Sequence, residues 1–184
     1  MKKVSIFRLC VTLLLISGII AGALAGVNAV TAPKIAELME QKTQQAISAV
    51  LPGGGEKIES YPDETGIVTA VYASEKGHAV EVTPAGFDGA ITMMVGIDAE
   101  GKVLGVEIVS HTETAGLGAV AADSTAAGKA FRQQFTGTSG TLAVTKDGGS
   151  IDAITSATIT SRAVTQGVNA ALACVAAMQI GGAK

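Results

Sequence analysis

From Leu9 to Val30 the chain reads LCVTLLLISGIIAGALAGVNAV, 22 residues without a charged side chain. A helix rises ~1.5 Å per residue, so this run covers about 33 Å, enough for a hydrocarbon core ~30 Å thick. Two uses of such a run stay open. As a cleaved signal peptide it has a basic start at Lys2, Lys3 and Arg8, an apolar stretch from Leu9 to Ile20, and an A-x-A site at Ala23-Leu24-Ala25. As a retained anchor it has apolar character that continues beyond Ala25 through Val27, Ala29 and Val30, and this is the reading we follow. Cys10 sits at the wrong end of the run for a lipoprotein cysteine. Either way the basic flank stays in the cytoplasm and the remainder lies outside it.

Three of the 13 Lys and Arg residues precede the span, whereas none of the 16 Asp and Glu do. The remainder is therefore net acidic, without a basic cluster to neutralise phosphates, and nucleic acid is not an expected partner. Cys10 lies in the span and Cys174 stands alone beyond it, so there is no disulfide framework. His78 and His111 have no metal-ligand spacing, and no metal is expected. With no Trp, four Phe and two Tyr, an aromatic clamp for a flat ligand is hard to build.

The order of patterns predicts an α+β fold: one N-terminal transmembrane helix, then a single domain with a mostly antiparallel sheet and flanking helices. Residues 1–8 form a basic cytoplasmic N-terminus, 9–30 the transmembrane helix, 31–52 a membrane-proximal helix, and 53–184 the extracytoplasmic domain. Pro33 fits the first turn of a helix ending before Pro52-Gly53-Gly54-Gly55. Val- and Ile-rich runs at 67–73, 78–83, 90–97 and 103–109 read as strands, the last two joined by a hairpin at Asp98–Gly101. A helix is expected over about 119–135, strands at 141–145 and 151–154, and a closing helix over about 162–178. That last helix carries its apolar stripe on Val164, Val168, Ala171, Leu172 and Val175, with Thr160 or Ser161 as N-cap.

Two segments hold more functional groups than turns require. The first is His111-Thr112-Glu113-Thr114-Ala115-Gly116-Leu117-Gly118, between a strand and a helix. Gly116–Ala121 matches G-x-G-x-x-A, yet it is no dinucleotide fingerprint. Polar residues separate the glycines from the strand, and no acid occurs between Asp123 and Asp147 to take a ribose. The second runs from Gly148 to Ser161, with hydroxyls at Thr155, Ser156, Thr158, Thr160 and Ser161 at a helix entrance. One would suffice as a cap; five at a helix N-terminus suit a phosphate site or a phosphoryl acceptor. A hydrolase built on one of these hydroxyls lacks the G-x-S-x-G elbow.

Together the segments resemble the FMN-binding domain shared by the G subunit of the Rnf electron-transport complex and the C subunit of the sodium-translocating NADH:quinone oxidoreductase. The family pattern His-any-Glu-Thr-Pro-Gly-Leu-Gly appears here as HTETAGLG, with Ala115 in place of Pro. Its partner, Asp-any-any-Ser/Thr-Gly-Ala-Thr, appears as DAITSAT, with Ser156 in place of Gly. The short chain and its SHTETAGLG resemble the Rnf protein more than the quinone-reductase one. The resemblance spans the whole chain, from the N-terminal span to the closing helix.

It implies FMN carried on Thr158 through a phosphoester, with Asp152, Thr155, Ser156 and Ala157 completing the attachment motif. His111, Glu113, Thr114, Gly116, Leu117 and Gly118 are expected to line the flavin pocket. No residue of this chain is expected to be catalytic in its own right; the flavin carries the electrons. Implied partners are the other membrane subunits of the Rnf complex and a flavin transferase acting outside the membrane. The implied role is an electron carrier in an ion-translocating ferredoxin:NAD oxidoreductase. The alternative is a membrane-anchored ligand-binding or assembly protein without flavin, for which Ser156 leaves room.

Overall fold

In the computed structural model of the protein, residues 6–181 are described; Lys2 and Lys3 lie outside them. Helix α1 runs unbroken from Ile6 to Val50 and contains Pro33 in its interior. The expected fresh start at Pro33 is thus absent: proline removes one backbone donor, and the helix passes through it. The described chain divides into two compact units between Gln41 and Lys42.

In the first unit residues 7–38 are all exposed, including every Leu, Ile and Val of the uncharged run. Its hydroxyls are already satisfied along the helix: Thr12 donates to Arg8 O, Ser17 to Leu13 O and Thr31 to Val27 O. An apolar helix whose hydroxyls bond to its own backbone suits hydrocarbon, and it fits a membrane anchor.

The second unit is built on an antiparallel meander of five strands in sequence order. They are β1 (Glu56–Ile58), β2 (Val68–Ser74), β3 (Gly77–Val82), β4 (Thr92–Asp98) and β5 (Val103–Ser110). Registers Val71↔Val80, Val80↔Val95 and Val95↔Val106 set four valines in one row across the sheet. That face packs on helix α3 (Thr158–Gly181), whose Val164, Val168, Ala171, Leu172 and Val175 are buried as their spacing predicts. The helix is also long and apolar enough to cross a membrane, but its burial in the core accounts for that character.

The opposite face is cut for a second helix. Ala79, Gly96 and Gly105 share a row there, and the end of α1 lies over it with Ala46, Ile47, Val50 and Leu51 buried. A β-carbon at Gly96 would strike the Val50 backbone. On the α3 side, one at Gly167 would strike Met93 and crowd Val82. Each helix therefore approaches the sheet closely where a side chain is missing.

Three expectations are corrected. The helix of 119–135 is a 3-10 turn at Gly118–Ala121 and then α2 (Ala126–Gln133), because Thr125 caps α2 by accepting from Gly128 N–H. The strands at 141–145 and 151–154 reduce to one parallel bridge, Val144↔Ile151, around a 3-10 turn at Thr145–Asp147. Helix α3 begins at Thr158, four residues early, which puts Thr160 and Ser161 inside it and frees them from capping.

Candidate functional site

Asp152–Ala157 leads into α3 through a turn closed by Ala157 N–H donating to Ile154 O at 2.9 Å. Its third residue, Ser156, has φ 62°, the only positive φ outside glycine among the described residues. That is the position where such a turn favours Gly. Ser161 fixes the turn from the helix side: its hydroxyl accepts from Ile154 N–H and donates to Ala157 O. Ser161 N–H makes the first intrahelical bond, to Ala157 O at 3.0 Å. The N–H groups of Thr158, Ile159 and Thr160 thus have no acceptor within the helix, at the positive end of its dipole.

The Thr158 hydroxyl, half-buried in the first turn, accepts from Lys146 Nζ at 3.0 Å. The neighbouring Asp147 fixes this turn to the helix: it accepts from Nε and Nη2 of Arg162, at 2.7 and 2.6 Å, one helical turn beyond Thr158. The Arg162 bonds hold the Asp147 carboxyl below the usual carboxylate range. The turn is tight as well: a β-carbon at Gly149 would collide with Ala143 O.

Glu113 joins this helix to the opposite wall. It is 7% exposed and fully bonded: Oε1 accepts from Phe87 N–H at 2.8 Å and Asp88 N–H at 3.1 Å, and Oε2 accepts from the Thr160 hydroxyl. Burial pushes its pKa up, but the Thr160 hydroxyl, the two backbone donors and nearby His111 bring it below the ordinary value. Gly86 and Gly118 complete the cradle, since a β-carbon at either would strike a Glu113 oxygen. Thr112 adds a second tie to the same loop by donating to Asp88 O at 2.9 Å.

Between these walls lies a pocket of about 280 Å³, lined by Phe87, Glu113, Thr114, Leu117, Gly118 and residues 156–160. It gathers seven of the expected site residues: Glu113, Thr114, Leu117, Gly118, Ser156, Ala157 and Thr158. Gly116, Asp152 and Thr155 instead line a neighbouring cleft of about 400 Å³, where Gln134 holds the Asp152 backbone by two hydrogen bonds. His111 lines a third cleft, of about 510 Å³, with Lys42 and Glu107. Lys146 and Phe87 are invisible to motif reading, and Thr112 occupies the motif's unspecified position. Lys146 comes twelve residues before Thr158, and only the Gly148-Gly149 turn, a loop signal in the sequence, hints that the chain doubles back.

A hydroxyl at a helix N-terminus beside an ammonium group suits a phosphoryl group, and the apolar remainder of the pocket suits a flat ring. Comparison with known proteins identifies the domain that holds this pocket. The family model of the FMN-binding domain matches residues 86–173. The chain is 34% identical to the G subunit of the Na(+)-translocating ferredoxin:NAD(+) oxidoreductase complex of Acetobacterium woodii, covering 89% of this chain and 88% of the relative. It is 33% identical to the G subunit of the ion-translocating oxidoreductase complex of Pseudomonas aeruginosa, over 82% and 79%. It is 44% identical to the G subunit of the proton-translocating ferredoxin:NAD(+) oxidoreductase complex of Clostridium ljungdahlii, over 55% and 57%.

Proposed function

The chain belongs to the family of G subunits of ion-translocating oxidoreductase complexes, with its FMN-binding domain, and from that premise we propose that it carries electrons through an FMN esterified to Thr158. It acts as one part of a membrane-bound ferredoxin:NAD oxidoreductase, beside the other membrane subunits, and does not complete that reaction alone. When bound, the flavin supplies the redox chemistry; the protein supplies its position and surroundings.

The observation that carries the reading is the contact between Lys146 Nζ and Thr158 Oγ1 at the first turn of α3. For attachment, the hydroxyl oxygen forms a bond to the phosphorus of an activated flavin phosphoanhydride supplied by a flavin transferase. The anhydride P–O bond breaks, the second phosphate leaves with its electron pair, and the hydroxyl proton passes to water. Lys146 and the N–H groups of Thr158, Ile159 and Thr160 face the charge that a phosphodiester keeps there. Ser156 does not favour a flavin-free role, because its backbone already has the φ a glycine would adopt.

The orientation follows from Arg8, Lys2 and Lys3: the N-terminus is cytoplasmic, α1 crosses once, and the acidic domain is extracytoplasmic. There a covalent link keeps a cofactor that would otherwise diffuse away. Co-expression with a matching flavin transferase, followed by in-gel flavin fluorescence after denaturation, tests the reading. Wild type fluoresces, Thr158→Ala does not, and Lys146→Gln is labelled several-fold more slowly. A denatured Thr158→Ala band as bright as wild type overturns the assignment.

A further inference from the structure

The pocket at Thr158 combines two chemistries. The Thr158 hydroxyl, bonded to Lys146, and the first turn of α3 are polar; three other lining side chains are apolar and face water. Phe87 is 67% exposed, Ile159 49% and Leu117 42%, and all three line this one pocket. Among the described residues of the Lys42–Lys184 unit, the other exposed large apolar side chains are only Leu104 and Ile180, and neither lines the pocket. Single exposed apolar residues are ordinary on a protein surface; three around one acceptor hydroxyl mark a binding face.

Phe87 stands apart among the aromatics. Phe131 and Phe135 are buried against each other in the core with centroids 5.5 Å apart, and Phe7 lies in α1 just before the uncharged run. The Phe87 ring is left in water although its backbone is firmly held. Its N–H donates to Glu113, Gly86 N–H donates to Gly89 O at 2.7 Å, and Thr112 holds Asp88. A β-carbon at Gly89 would strike the Thr112 hydroxyl, so loop and motif are in close contact. Glu113 also takes the Thr160 hydroxyl, two residues beyond Thr158. One carboxylate therefore fixes the spacing between the acceptor helix and the loop that presents the ring.

We propose that Phe87 is the aromatic cover of the flavin ring system, with Leu117 and Ile159 as the apolar rim and Glu113 as the positioning residue that holds the loop in place. This rests on the attachment of FMN to Thr158. With its phosphate on Thr158, the conjugated ring would have Phe87, Leu117 and Ile159 of the same pocket available to replace water against it.

The test uses the full-length flavinylated protein in detergent. Flavin load is measured by intact mass, and ring mobility and access by flavin fluorescence anisotropy and iodide quenching. Wild type and Phe87→Tyr show high anisotropy and weak quenching. Phe87→Ala, equally loaded, shows lower anisotropy, and its ratio of docked to free flavin falls between about twofold and tenfold, the scale of one lost aromatic contact. Equal loading with unchanged anisotropy and quenching in Phe87→Ala overturns the cover and leaves the rim to a protein partner. Wild type without flavin mass overturns the attachment at Thr158 and, with it, this inference.

Discussion

At the residue scale, Glu113 and Ser156 have effects that their motifs do not advertise. The Glu113 carboxylate is buried and accepts three hydrogen bonds that hold together a loop, a turn and a helix. Bonds to a charged group contribute about 1.5–3 kcal/mol each, and their loss leaves buried donors unmet. Glu113→Gln is expected to cost about 2–3 kcal/mol, read as a lower denaturant midpoint with unchanged slope. Its pKa is depressed in the folded state, so its contribution is complete above the unfolded value of about 4.3 and drains away as pH falls through the folded one. The gap between wild type and Glu113→Gln thus narrows below about pH 4; a gap independent of pH would show that the carboxylate charge is irrelevant. Ser156 costs stability instead. With φ 62° it holds a left-handed conformation that glycine adopts freely, so Ser156→Gly is expected to stabilise the domain by roughly 1 kcal/mol in thermal or urea unfolding.

At the element scale, the two sheet faces differ in how much of them the sequence reveals. Alternating Val and Ile in β2–β5 and the spaced valines of α3 announce the face that packs on α3, because burial there depends on the chain's own periodicity. The other face is quiet in sequence: Gly96 and Gly105 lie inside the expected strands with no side chain to mark a face, and only the fold shows that Val50 fills the space above them. A β-carbon at Gly96 meets the Val50 backbone, whereas one at Gly105 is 3.9 Å from Val50 Cγ1, an ordinary contact. Gly96→Ala is therefore expected to cost about 1–3 kcal/mol and Gly105→Ala little, compared by urea unfolding. Equal costs would contradict the seating of α1 on Gly96. The site divides in the same manner. HTETAGLG and DAITSAT supply seven of the residues that line the pocket, but Phe87, which also lines it, and Lys146, which bonds Thr158, come from turns whose sequences carry only loop signals. Helix boundaries near 122 and 158 escape the sequence pattern for a related reason. Hydroxyl runs can cap, and which hydroxyl does so is set by tertiary partners: Thr125 caps, while Thr160 turns to Glu113.

At the scale of the whole molecule, the uncharged run Leu9–Val30 of α1 and the acidic α+β domain beyond it divide the tasks of anchoring and electron carriage. The topology has its own check. Cys174 is buried, and burial pushes its thiol up to about 11, so it remains protonated and unreactive near neutral pH. A cysteine placed at exposed Glu64 is expected to react with a membrane-impermeant thiol reagent in intact cells stripped of their outer layers; reaction only after permeabilisation would reverse the orientation. Electron carriage by this domain, as proposed, depends on Thr158 holding the flavin at the seam between α3 and the Glu113 loop. Mass analysis of the native protein from its own membranes, with fragmentation to locate the added group, tests this most directly. One FMN is expected on the peptide containing Thr158, and none after Thr158→Ala. Protein at its unmodified mass beside an active flavin transferase, or FMN located on another residue, would contradict it.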